Sequence, residues 1–547
     1  MKPEMDRKPE AAQKTKPEQE NKPAMDRRKF LSGAAAAGVF TIVPRHVLGG
    51  QAYVAPSDKI TLGYIGIGTQ GIRELLQMLP TPEIQVVAAC DPEKDSNHYV
   101  EFSKGSITRV VREFLGKPNW REGAPAAPGG REVGKEIIET YYAGQRAADK
   151  FGGVTAYADF RELLDKEKDL DAVKIMTPDH LHATIAIAAM KKGKHAIMHK
   201  PLANRLHEGK LVFDAARESK VATHFMAYGS GRGGDMDRIM SWIKDGAIGT
   251  VREIHNWTNR PMWPQYQSLP TDRPPVPRGF DWNLWLGPAL DRPYHPNYTH
   301  TVFRGWYDFG GGSIADMGHY SLWPVFTAFT LGTPVRVEPY MTHTYEVVDE
   351  VSQRVKNDFS FPIACSLRFK MPAHDGWPDL DLFWYDGGMR PQRPRELAED
   401  GRELPREGMM FIGDKGIILD GRIIPERAMK AFPGPQPPPL DAPRGPRGGG
   451  AGERPNRLAD WVKAVQGGPQ SPGNFLNAVA LTETVNLAAA ALRAGETIEY
   501  DPATRKITNV SEANKYLVRE YRPGWELGSA SVTAISPLQS GLPAGCR

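Results

Sequence analysis

The sequence predicts an α/β protein of two domains, and three observations carry that prediction. The glycine-rich turn Gly66-Ile67-Gly68-Thr69-Gln70-Gly71 closes a β-branched run and opens an amphipathic segment. Strand-like and helix-like stretches then alternate as far as Lys200, the order of parallel βαβ units. After about Ser230 the strand-like stretches alternate apolar with polar residues, as in a sheet covered on one face. The expected architecture is an N-terminal Rossmann dinucleotide-binding domain followed by an α+β domain with a large, open, mostly antiparallel sheet.

Residues 1–55 read as a signal and linker. Arg27 and Arg28, followed by Phe30-Leu31 and a weakly apolar run from Leu31 to Val43, have the form of a twin-arginine export signal. The run is too short to span a bilayer, and no other segment is expected to insert stably in a membrane. The expected partner is the twin-arginine export machinery, and the expected location is periplasmic or otherwise outside the cytoplasm. That route carries folded proteins, so a cofactor can be loaded before export.

Residues 56–205 make up the expected Rossmann domain. Its strands are KITLGYIGIG, IQVVAAC ending at Asp91, DAVKIMT (171–177) and HAIMHK (195–200), with helices at IRELLQML and HLHATIAIAAMKKG (180–193). An insertion at about 95–150 holds a Pro/Gly-rich piece and a predicted helix over 131–145. Residues 206–530 form the second domain, with strands predicted at 251–257, 351–361 and 363–370. A Pro/Gly loop at 432–455 leads to helices at about 456–466 and 475–494, and residues 531–547 are a tail.

Composition narrows the function. The first fifty residues hold ten Lys/Arg against six Asp/Glu, a surplus equal to the net charge of +4 for the whole chain. The body is therefore near neutral, which argues against a nucleic-acid partner. Three scattered cysteines, Cys90, Cys365 and Cys546, make neither a disulfide framework nor a cysteine metal site. His180 and His182 are two apart on a helix and point away from each other, so no metal is expected.

The chemistry of the glycine turn is that of a dinucleotide site. Gly66 allows the tight turn, Gly68 lets backbone approach a pyrophosphate, and Gly71 permits close helix packing, with the helix N-terminus facing the phosphate charge. Ile67, Thr69 and Gln70 complete the loop. Asp91, twenty positions beyond Gly71, is placed to accept hydrogen bonds from the adenosine ribose. Its carboxylate repels a 2′-phosphate, so the expected cofactor is NAD rather than NADP. Aromatic residues crowd the stretch from Trp257 to Phe309; most are expected in the core, with Arg304 and Trp306 the first choices to line a substrate pocket, since they precede the glycine run Gly310 to Gly312.

Two segments, TPDHLHA (177–183) and HKPLANRLHEGKLV (199–212), resemble strand-end motifs of the Gfo/Idh/MocA oxidoreductase family. The resemblance continues through GAIGTVREIHNWTNRP, DWNLWLGPA and RGWYDFGGGSIADMGHY to the C-terminal TNVSEANKYLVREYRPGWEL, and it is greatest to the exported branch of that family. It implies that Thr177, Pro178, Asp179 and His182 are cofactor contacts. It also implies that Lys200 touches both cofactor and substrate, where an ammonium could polarise or deprotonate a hydroxyl. The family has Glu before this lysine; here it is His199. The family's Asp and His four positions apart correspond to Asp316 and, at that spacing, Tyr320, with the histidine one place earlier at His319. Either of the two could handle the proton. The implied activity is NAD-dependent oxidation of a sugar or cyclitol hydroxyl with a tightly held cofactor. The alternatives are NAD-dependent glycoside hydrolysis or elimination through transient oxidation, and a non-catalytic sugar-binding protein. A broad open sheet face makes self-association a further expectation.

Overall fold

The computed structural model describes residues 58–527 apart from 102, 125–126, 146–151, 230–234, 433–435 and 440–457. The expected export signal, the tail, Cys546 and most of the Pro/Gly loop lie outside the described residues. The first domain is built on strands β1 (Ile60–Ile65) and β2 (Ile84–Cys90), an antiparallel pair of β3 (Ser96–Tyr99) and β4 (Ala127–Gly129), and strands β5 (Thr155–Tyr157), β6 (Ala172–Ile175), β7 (His195–Met198) and β8 (Thr223–Phe225). Six of these form one sheet in the order β5-β2-β1-β6-β7-β8, every neighbouring pair parallel. The order reverses between β1 and β6, the switch point outside whose strand ends dinucleotides bind. Leu62, Tyr64, Val86, Val173, Ile175 and Ile197 are buried, as expected of strands covered by helices on both faces. β8 extends this sheet past residue 205, so the boundary expected there falls one βαβ unit too early.

The insertion is more structured than its composition implies. Besides the helix Arg131–Ala143, which stops at Gly144, it contains the antiparallel pair β3/β4 and, between those two strands, the helix Ser106–Leu115. Ile107 and Val111 join Val133, Ile137 and Ile138 in a core shared with β1 and β2.

The second sheet comprises β9 (Val251–Trp257), β10 (Arg336–Met341), β13 (Cys365–Met371), β14 (Leu380–Tyr385), β15 (Gly408–Gly413), β16 (Ile417–Leu419), β17 (Arg422–Ile424), β18 (Ile498–Asp501) and β19 (Lys506–Ile507); β11 (Tyr345–Val348) and β12 (Val351–Arg354) pair only with each other. Its order is β17-β16-β15-β9-β14-β13-β10-β18-β19, antiparallel throughout except for β9 with β14. In β13 the residues Cys365, Leu367, Phe369 and Met371 are buried while Ser366, Arg368 and Lys370 are not, the alternation of a sheet with one covered face. The strand expected over 351–361 ends at Arg354 and leaves the main sheet. The helix Phe475–Ala494 is long and apolar enough, by length and composition, to cross a membrane; 72% of its most apolar stretch is buried, where it packs on β10 and on the helix Leu206–Ser219.

Candidate functional site

A cleft opens at the C-terminal ends of β1 and β6 and runs from Asp91 and the glycine turn to Lys200 and Arg304. The turn is shaped by sterics. Gly66 has φ +97°, and a Cβ there would lie 2.5 Å from the backbone of Met176; one on Gly71 would lie 2.3 Å from the Gly66 carbonyl. The Tyr64 hydroxyl donates to the Gly71 carbonyl at 2.6 Å and fixes the turn from below. The helix Thr69–Met78 begins at Gly68 with no side-chain cap, which leaves its first amides for an anion. Thr177 lines the same cleft, and its buried hydroxyl has no partner among the described residues. A glycine cradle, uncapped amides and an unsatisfied hydroxyl fit the pyrophosphate and ribose of a dinucleotide.

Asp91 is fully buried beside this turn. Its Oδ2 accepts from the Ile67 amide at 2.6 Å and its Oδ1 from the Glu93 amide at 2.8 Å. Burial pushes the carboxyl up to about 6 against the pull of those two amides and of Arg131. Ile67 therefore contributes differently from expectation: its amide is taken by Asp91, its carbonyl accepts from Gly130, and its side chain is in the core.

At the other end of the cleft the ammonium of Lys200 donates to Asp316 Oδ1. Asp316 Oδ2 accepts from Arg260 Nε at 3.3 Å, and Arg304 Nε lies 3.5 Å from Oδ1. Burial would raise the Asp316 carboxyl, but Lys200, Arg304 and Arg260 hold it well below the usual carboxylate range. Burial lowers the Lys200 pKa, and the charge of Asp316 opposes that shift. Asp316 sits in a π-helical turn, Ile314–Gly318, directly after the glycine run. A Cβ on Gly310 would fall 2.5 Å from the Arg304 backbone, and the Gly311 amide donates to Asp179 Oδ2 at 3.0 Å. The run thus lets the chain pass close to two residues of the cleft wall.

Tyr320, at the start of the helix His319–Ala328, forms a 2.7 Å hydrogen bond with His199 Nε2 and places its ring 5.6 Å from the Lys200 ammonium. Lys200, Asp316 and Tyr320 are therefore brought together. His319 lies within electrostatic reach of Lys200 and Asp316 but is fully buried: its Nδ1 bonds the Ala315 carbonyl at 2.9 Å and its ring packs on Phe225. Burial drops its pKa to about 4. His319 Nε2 is buried with no partner among the described residues, while position 320, just past the π turn, presents its hydroxyl to His199 beside Lys200.

Gly66, Gly68, Thr69, Gln70, Gly71, Asp91, Thr177, Pro178, Asp179, Lys200 and Arg304 all line the cleft. Of the other expected residues, Ile67, Asp316, His319 and Tyr320 lie behind this lining, and so do His182 and Trp306. His182 turns both ring nitrogens to backbone carbonyls, Nδ1 to Pro201 at 2.5 Å and Nε2 to Thr177 at 2.9 Å, and braces the two strand ends from behind. Trp306 is fully buried, donates to the Asn297 carbonyl at 2.6 Å and stacks on Tyr266 at 4.5 Å, because the aromatic cluster of Tyr298, Phe303 and Phe309 absorbs it. His180 likewise packs between Trp285 and Phe309. The sequence reading missed Arg260, three residues beyond the end of β9, and Tyr99 and His300, whose rings meet at 3.9 Å on the cleft wall. For Arg260 the strand-end position was the available signal; for Tyr99 and His300 there was none.

Residues 128–227 match the family model described as oxidoreductase family, NAD-binding Rossmann fold, and residues 238–356 match the model described as oxidoreductase family, C-terminal alpha/beta domain, both of the Gfo/Idh/MocA group. The glycine turn lies ahead of the first match, separated from it by most of the helix Thr69–Met78, β2 and part of the insertion. A levoglucosan dehydrogenase of Pseudarthrobacter phenanthrenivorans is 35% identical over 147 residues, 26% of this chain and 36% of that protein. A glycosyl hydrolase family 109 protein of Shewanella pealeana is 25% identical over 242 residues, 42% of this chain and 44% of that protein. The chain thus spans less than half the length of these relatives. Among solved structures, an aldose-aldose oxidoreductase from Caulobacter crescentus complexed with glycerol aligns at 16% identity and a TM-score of 0.43, over 81% of this chain and 99% of that one. The WlbA dehydrogenase from Bordetella pertussis, in complex with NADH and UDP-GlcNAcA, aligns at 14% and 0.44 over the same shares.

Proposed function

We propose that this chain, which carries two domains of the Gfo/Idh/MocA oxidoreductase family, oxidises a hydroxyl of a sugar or cyclitol using NAD that stays bound between turnovers. The observation that carries the reading is the buried Lys200–Asp316 pair at the end of the dinucleotide cleft. Gly66, Gly68, Thr69, Gln70 and Gly71 would hold the pyrophosphate, Asp91 the adenosine ribose, and Thr177, Pro178 and Asp179 the nicotinamide half. When bound, NAD supplies a hydride acceptor.

The residues divide the remaining work. Lys200 takes the hydroxyl proton at Nζ, and burial favours the neutral amine that does so. Asp316 orients that amine and stabilises the ammonium once the proton has arrived. Tyr320, hydrogen-bonded to His199, is a second proton carrier beside Lys200. Arg304 and Arg260 hold Asp316 ionised and present further donors to substrate oxygens. With the sequence features at Arg27 and Arg28, the reading extends to work outside the cytoplasm, where free cofactor is scarce and retention is an advantage.

A second reading, glycoside cleavage through transient oxidation, is supported by the His199–Tyr320 pair. It offers a separate acid-base couple for the leaving group next to Lys200. The glycosyl hydrolase family 109 relatives point the same way. The test is to purify the full chain, identify any nucleotide released on denaturation, and supply sugars and aryl glycosides. Lasting reduction of bound nucleotide supports the dehydrogenase, release of aglycone without lasting reduction supports the hydrolase, and absence of both nucleotide and turnover overturns the two together.

A further inference from the structure

The hairpin of β11 and β12 belongs to neither large sheet. All eight of its strand residues are exposed, and four are large and apolar: Tyr345 at 64%, Val347 at 74%, Val348 at 40% and Val351 at 56%. A two-stranded hairpin alone is barely stable in water, and clustered exposed apolar side chains mark a contact surface. The register opposes Tyr345 to Arg354, Val347 to Ser352 and Val348 to Val351. Tyr345 and Val347 therefore face one way, and Val348 and Val351 the other. With apolar residues on both faces, the hairpin is covered only by entering a groove.

Its turn carries a second signal. Asp349 and Glu350 have φ of +50° and +64°, the left-handed geometry that Asn-Gly fills with least strain. Two carboxylates occupy it instead. With Glu346 they make the outer half of the hairpin acidic, and none of the three has a basic partner among the described residues.

At the base of the same hairpin lies a groove of about 430 Å³, lined by the apolar Met341, Phe361 and Ile363, by His343, whose pKa burial and Arg354 lower toward the neutral ring, and by the basic Arg354 and Lys356. Its other charged residues are Asp358, Glu496 and Arg493. Arg493 is engaged by the Asp358 carbonyl at 2.7 Å and by Asp308 at 3.7 Å. Arg354 and Lys356 have no carboxylate partner among the described residues. An acidic, apolar tip and a basic, apolar groove on one hairpin are complementary under a two-fold axis. We propose that a second copy of this chain covers the hairpin, the acidic tip of each copy seated in the basic groove of the other.

The test uses the full chain in sedimentation at micromolar concentration, with circular dichroism to verify folding of each variant. Wild type is expected as a dimer or a multiple of one, and Val347→Glu with Val351→Glu as its monomeric half. Reversing the tip (Asp349→Lys with Glu350→Lys) or the groove (Arg354→Glu with Lys356→Glu) should each weaken association about tenfold or more. Mixing the two reversed proteins should restore it, since each tip then meets a groove of opposite charge. A monomeric wild type, association indifferent to all three changes, or mixing without restoration would overturn the proposal.

Discussion

Lys200 and Asp316 form one ion pair, yet removing either partner should have unequal consequences. In Lys200→Met, Asp316 keeps Arg260 at 3.3 Å and Arg304 at 3.5 Å, so its buried charge stays compensated. The loss is one charge-assisted hydrogen bond of about 1.5–3 kcal/mol, largely offset because no ammonium has to be desolvated. In Asp316→Asn, the ammonium stays buried beside Arg304, with Asp179 the remaining carboxylate acting on it among the described residues, and breaking a buried pair in this way costs about 3–5 kcal/mol. Both variants should lose about 10²–10⁴-fold in kcat, the first through loss of the base and the second through loss of its orientation. The folded-state pKa of Asp316 is depressed, so its contribution to stability is present above the unfolded carboxylate value of about 4 and disappears as pH falls through the lower folded value. The stability gap between wild type and Asp316→Asn should narrow in that window. Because the Asp316 charge opposes the burial shift of Lys200, the asparagine variant should also move the alkaline rise of its residual activity to lower pH. Urea unfolding at several pH values and pH-rate profiles check all of this. Equal destabilisation by the two substitutions, or a Lys200→Met enzyme with wild-type turnover, would overturn these roles for the pair.

Tyr320→Phe keeps the ring near Lys200 but strands His199 Nε2, so kcat should drop about 10²-fold or more with a stability loss of about 1–3 kcal/mol, whereas His319→Leu should lower Tm and leave kcat nearly unchanged; steady-state kinetics with thermal melts separate the two residues. Asp91 has a folded pKa raised to about 6, so its contribution to stability declines as pH rises from about 4 to 6, by about 3 kcal/mol. Ribose binding needs the ionised form, and the NAD dissociation constant measured by fluorescence should therefore rise as pH falls through about 6. A flat profile would remove Asp91 from the site. Gly71→Ala brings a Cβ to 2.3 Å from the Gly66 carbonyl and should abolish nucleotide binding, read as absence of nucleotide in the purified protein.

Legibility followed range. The glycine turn and the strands around it are local patterns, and the predicted strand over 251–257 coincides with β9. The pairing of Lys200 with Asp316, 116 residues apart, depends on the fold, and only the motif resemblance joined the two beforehand. Arg260 carried no motif weight of its own. The placement of His319 and Tyr320 depends on a π turn, whose extra residue per turn no α-helical spacing argument contains. Trp306 went astray because a list of aromatic residues does not separate those that pack from those that line a pocket. Residues 351–354 have strand character with no mark of which sheet receives them, and strands as short as β3 and β4 leave too few positions for a period to register.

In the proposed reaction a substrate C–H hydrogen would reach the nicotinamide while Lys200 takes the hydroxyl proton. The most direct measurement gives the purified full chain a turned-over sugar deuterated at its carbinol carbons, then releases the bound nucleotide and examines the C4 position of the nicotinamide by NMR. Deuterium at C4 in wild type and none in Lys200→Met is the predicted result. Turnover of the sugar by wild type with no deuterium at C4 would contradict the account.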